Sequence, residues 1–175
     1  MFHNLVKASV GGVYIIAEAC DNHMGSIEMA RALCRAAKYA GADAVKFQHH
    51  IPYEEMLKQG TMSDNFDEHL YDFLERNALS LKQHYELKDY CEEIGISYLC
   101  TPFSLKAAQE IADLVPFFKI GSGEFQDWWL IDGLIKLEKS VIFSSGMSSY
   151  PELKKNVEYL RQSNLDFALL NCLSE

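Results

Sequence analysis

Residues 96–124, ISYLCTPFSLKAAQEIADLVPFFKIGSGE, decide the fold. The stretch opens with a short run at 96–101, rich in β-branched and aromatic residues and stopped by Pro102, which reads as a buried strand. Ser104 then stands where a helix wants an N-cap, and Leu105, Ala108, Ile111 and Ala112 recur at helical spacing. A second apolar run at 117–120, FFKI, empties into Gly121-Ser122-Gly123-Glu124. A strand, a helix and a strand in that order pair the two strands in parallel.

The same unit repeats on either side. Upstream, 13–17 (VYIIA) reads as a buried strand, Ser26 caps a helix that Gly41 closes, and 44–48 (AVKFQ) is the next strand. Residues 49–79 are the least regular part, with a short helix expected at 67–76; Ser80 then caps a helix that runs to Gly95. Downstream, 127–137 reads as helix, 141–144 as strand, the segment from Pro151 as helix and 167–171 (FALLN) as strand. This α/β alternation fits an open doubly wound sheet or a (β/α)8 barrel. The open sheet usually binds phosphate on a glycine-rich loop after its first strand, and AEACDNHMG at 17–25 is not that loop. Polar residues follow every strand instead, which favours the barrel, where the active site collects side chains from all the strand ends. A complete barrel needs ~250 residues, so residues 1–175 read as one domain, an incomplete TIM barrel of about six βα units forming the N-terminal part of a catalytic domain.

Composition narrows the partners. Hydrophobic residues at 49% and charged residues at 23% are ordinary for a globular protein. A formal charge of −9 argues against nucleic acid or an anionic membrane, both of which need a cationic face, but leaves room for a small anion in a local lysine pocket. No segment approaches the ~20 apolar residues of a membrane span, and the N-terminus lacks the basic start of a signal peptide. The five cysteines show no CxxC pair or zinc-type spacing and read as reduced, mostly buried thiols, so the cytoplasm is the expected compartment.

Lysines inside strands are the informative residues, because lysine is almost never fully buried without a partner. Lys46 and Lys119 sit at matching positions of apolar strands, and a parallel sheet would place both on its C-terminal rim. There they would hold phosphate or carboxylate oxygens as point charges, helped by the backbone amides of 121–123 and by hydroxyls. A snorkelling edge lysine is the bland alternative for either one. Glu18 and Glu124 are candidates for general base or electrostatic partner. His23 stands alone as a metal ligand, His49-His50 reads as loop, and Trp128-Trp129 as a helix start packed on the barrel. The same lysines also suit a class I aldolase, in which one of them forms a Schiff base, or a non-catalytic half barrel that binds phosphosugars.

The segments IIAEACDNHMGSIEMARALCRAAKYAGADAVKFQ, CTPFS, FFKIGSGE, VIFSSGMSS and LLNCLS, in that order, resemble the sialic acid synthase family over 13–174. The resemblance implies condensation of phosphoenolpyruvate with N-acetylmannosamine or a related N-acyl amino sugar, giving a nine-carbon 2-keto acid and phosphate. It implies that Lys46, Thr101, Lys119, Ser122 and Ser144 bind phosphoenolpyruvate, with Ser174 where the family has a small polar residue. Glu18 would lie near the attacking water and Glu124 beside the carbon that forms the new bond. A divalent metal, Mn or Mg, would polarise the sugar aldehyde, with its ligands outside this chain, and the full-length enzyme would be a homodimer. Two departures are visible: SSGM replaces the usual STGM, and Asn171-Cys172-Leu173 replaces the usual HCT. This chain alone is expected to be inactive.

Overall fold

The computed structural model describes Phe2, residues 12–58, Met62 and residues 67–172. Strands β1 (Ile16–Glu18), β2 (Ala44–His49) and β3 (Ser97–Pro102) form one parallel sheet, and β4 (Phe118–Ile120), β5 (Val141–Ser144) and β6 (Phe167–Leu170) form another. β3 and β4 lie side by side, so the strands follow chain order around an open barrel wall. The helices that return the chain are α1 (Ile27–Tyr39), α2 (Pro52–Glu55), α3 (Leu70–Asn77), α4 (Leu81–Ile94), α5 (Leu105–Ile111), α6 (Trp128–Lys136) and α7 (Tyr150–Gln162). This is the α/β, six-strand incomplete barrel that the alternation implied. Among the described residues no helix is long and apolar enough to cross a membrane.

The local chemistry explains where the helices start and stop. Ser26, Ser104 and Asp127 accept from backbone amides at the starts of α1, α5 and α6, and Ser80 with Gln83 makes a reciprocal capping box on α4. Gly95 closes α4 with a left-handed φ of 72°, a conformation that side chains with a Cβ resist. Two short elements escape a periodicity reading: α2, with Pro52 at its first position, and a 3-10 turn at Gly123–Gln126. The first strand is shorter than 13–17. Val13 and Ile15 are exposed, because among the described residues β1 pairs with β2 alone and an edge strand need not be buried on every face.

Strand alternation sorts the side chains into layers. On the outward faces Val45, Phe47, Tyr98, Cys100 and Phe118 join the main core beneath the helices. On the inward faces Ala44, Leu99, Phe117 and Ile142 close on Ile16 and Ala168 as a small apolar plug. One pleat further along each of the first five strands stands a polar residue: Glu18, Lys46, Thr101, Lys119 and Ser144. The plug is the floor of the site.

Candidate functional site

The two lysines are buried, as their apolar flanks demanded, and each is fully engaged. Lys46 Nζ lies 2.8 Å from Glu18 Oε2 and donates to Thr101 Oγ1 at 2.8 Å. Register explains the trio: Glu18 faces Lys46 across β1 and β2, and Thr101 sits on β3 opposite Gln48, one pleat above Lys46. Lys119 Nζ donates to Ser144 Oγ at 2.5 Å and to the Ile120 carbonyl at 2.8 Å. Burial, and then the positive charge of Lys46, push the Lys119 ammonium down to about 8. The two cations therefore feel one another, which an anion placed between them would relieve. Five of the residues expected from the sequence thus meet in one layer.

The remaining expected residues stand around it. Glu124 lies in the 3-10 turn after β4, and its carboxylate reaches back beside Gly121. Burial raises the Glu124 carboxyl, and the negative charge of Glu55 raises it further. Ser122 accepts from the Gly146 amide at 3.0 Å, tying the loop after β4 to the loop after β5. Ser174 lies outside the described residues. His49 closes β2 rather than lying in a loop, and is buried with its Nε2 2.9 Å from Glu110. Trp128 packs edge-on to Tyr159 under Lys155, whereas Trp129 is 77% exposed, contrary to the reading of the pair as packed.

Beside the lysine layer a cleft of about 670 Å³ opens at the C-terminal end of β2, lined among others by Asp21, Gln48, His50, Glu55, Phe103 and Glu124. Sequence reasoning missed His50, Glu55 and Phe103. His50 bridges Glu55 Oε2 at 2.8 Å and Asp21 Oδ2 at 3.2 Å, and its ring stacks on Phe103 at 4.2 Å. Its signal was the alternation Lys46, Gln48, His50 along one strand face, continued a residue past the end of β2. Burial disfavours the imidazolium, but the two carboxylates outweigh it and hold His50 up at about 9. Burial likewise raises Asp21, and hydrogen bonds with His23 and His50 overcome it and bring the group down to about 2. Among the described residues no three His, Cys, Asp or Glu side chains converge to hold a metal ion, so the divalent metal implied by the resemblance has no ligand set there.

The structure is thus an open α/β barrel that carries paired buried lysines and an acidic cleft at its strand ends. A family model described as the NeuB family matches residues 33–175, and the chain belongs to that family. It is 32% identical over 181 residues to the mouse (Mus musculus) N-acetylneuraminate-9-phosphate synthase, covering 94% of this chain and 48% of that protein. It is 31% identical over 170 residues to the pseudaminic acid synthase of Helicobacter pylori, covering 91% and 49%. The crystal structure of the N-acetylneuraminic acid synthetase of Leptospira borgpetersenii serovar Hardjo-bovis, in complex with citrate, superposes with a TM-score of 0.81 at 26% identity, over 93% of this chain and 55% of that one. The chain spans about half the length of the curated relatives it matches.

Proposed function

We propose that this chain forms the phosphoenolpyruvate-binding side of a synthase that condenses that substrate with an N-acyl amino sugar. The observation that carries the reading is the layer Glu18–Lys46–Thr101 with Lys119–Ser144, two buried ammonium groups with hydroxyl partners on an apolar floor. Phosphoenolpyruvate brings a phosphate and a carboxylate, and two separate cations match two separate anionic groups. In the reaction the methylene carbon bonds to the sugar's aldehyde carbon, water adds at C2, and the phosphate leaves. Lys46 and Lys119 hold the anionic groups and stabilise the charge that builds on the departing phosphate. Thr101 and Ser144 orient them. Glu18, half exposed beside Lys46, would take the proton of the attacking water, and Glu124, which lines the cleft, would stand where the aldehyde enters. The cleft's carboxylates suit a neutral polyhydroxylated partner and repel a second anion.

Calorimetric titration with phosphoenolpyruvate tests this. Lys46→Met and Lys119→Met are each expected to weaken binding by roughly 10–100-fold, the loss of about 1.5–3 kcal/mol per charged hydrogen bond. Unchanged affinity in both variants sinks the assignment. One observation favours a second reading: the lowered Lys119 suits the neutral amine that a Schiff base needs. Borohydride trapping with a carbonyl substrate separates the two, since a covalent adduct on Lys119 belongs to the aldolase chemistry alone.

A further inference from the structure

Both ring nitrogens of His50 face acceptors, which settles their protons. Nδ1 lies 2.8 Å from Glu55 Oε2, and Nε2 lies 3.2 Å from Asp21 Oδ2 and 3.2 Å from Gln48 Oε1. A neutral ring has one N–H and would leave a lone pair against a carboxylate, so the imidazolium is the form that fits. The proton on Nε2 in turn settles the Gln48 carboxamide. Its oxygen must be the atom that faces His50, and its NH2 is the end left for the cleft that Gln48 lines.

We propose that His50 is a positioning residue for Gln48: clamped by Asp21 and Glu55 and stacked on Phe103, it fixes the carboxamide with its NH2 turned into the cleft, as a donor to an oxygen of the bound sugar. The proposal rests on reading the cleft as the sugar side of the site. The clamp gathers four segments: Asp21 from the loop after β1, Gln48 from β2, Glu55 from α2 and Phe103 from the end of β3. Glu124, after β4, is the further charge whose field reaches His50. Without the imidazolium the Gln48 amide has two orientations of similar energy, and one of them presents a carbonyl to the ligand's acceptor. The clamp is therefore a device for the sign of a hydrogen bond as well as a tie between α2 and the loop after β1.

The test is heteronuclear NMR of the chain labelled with 15N at histidine and glutamine. His50 is expected to show both nitrogens protonated at pH 7. The Gln48 NH2 is expected to give one pair of proton resonances displaced from free-amide positions, because His50 holds its oxygen in a single orientation, and to be broadened by a soluble gadolinium chelate that enters the cleft. In His50→Phe, which keeps the stack on Phe103, those resonances should collapse to free-amide positions. Should this variant not fold, Glu55→Gln serves: it lowers the His50 midpoint and loosens Gln48 in proportion. A singly protonated His50 at pH 7, a Gln48 amide indifferent to both substitutions, or one untouched by the chelate overturns the proposal. Absence of phosphoenolpyruvate binding is a different failure. It contradicts the lysine reading and leaves the coupling of His50 to Gln48 standing.

Discussion

At the scale of single residues, Lys119 shows how a site can be read before its partners are known. A charged residue among Phe117, Phe118 and Ile120 has no apolar explanation, and the structure buries it to 7% exposure with two hydrogen bonds. Because its burial favours the neutral amine, Lys119→Met is expected to hold or raise thermal stability while weakening the ligand; a fall of more than about 2 kcal/mol in urea unfolding would mean that the lysine serves the fold. The histidines make the opposite case. His50 contributes stability that is full below its unfolded value of about 6.5 and is lost as pH rises through about 9, on the order of 3 kcal/mol. His84, brought down to about 3 by burial and by the charges of His49 and His23, acts in the other direction: its contribution is full above about 6.5 and is lost as pH falls toward 3. Lys119 regains some stability between about 8 and 10.5, so the alkaline loss should be steepest between about 6.5 and 8. Melting temperature is thus expected to peak near neutrality, and His84→Phe to flatten its slope between about pH 6.5 and 4. A monotonic profile through neutrality contradicts these assignments. The histidine contacts were not legible in the sequence, since His49-His50 and the lone His84 carry no sign of the carboxylate or ring each will meet.

Elements were legible in proportion to their length. α1 and α4 announce themselves by Ser26 and Ser80 at one end and Gly41 and Gly95 just past the other, and β5 falls where its apolar run does. α2 does not, because a four-residue helix is too short to express a period, and it supplies Glu55 to the cleft. The close approach of α5 and α6 was equally silent: Gly133 reads as a poor helix residue until Leu105 is found filling the place of its Cβ. Gly133→Ala should therefore cost about 1–3 kcal/mol despite alanine's better helix propensity, and Leu105→Ala in the same chain should recover part of that loss. Equilibrium unfolding of the two single variants and the double variant measures the coupling. Simple additivity would mean that the two helices part freely. Ser80→Ala, which removes one half of the capping box on α4, is expected to cost about 1 kcal/mol in the same assay.

For the whole molecule, the repeating strand and helix pattern specified a parallel barrel wall, and matching lysines marked the end of it that holds the buried cationic layer. What alternation could not convey is the layering, in which an apolar plug from five strands and Phe117, just before β4, lifts the polar ring to the rim. Nor could it convey the division of the rim into a cationic layer around Lys46 and Lys119 and an acidic cleft around Asp21, Glu55 and Glu124. That division is the physical core of the proposed reaction, since it would send a ligand with two anionic groups and a neutral sugar to adjacent places. The most direct measurement is a crystal structure of the chain soaked with phosphoenolpyruvate. The expected result is a ligand between Lys46 and Lys119, its phosphate and carboxylate oxygens about 2.7–2.9 Å from the two ammonium groups and its methylene carbon toward the cleft beside Glu124. A ligand bound elsewhere, or a lysine layer unchanged at saturating concentration, would contradict it.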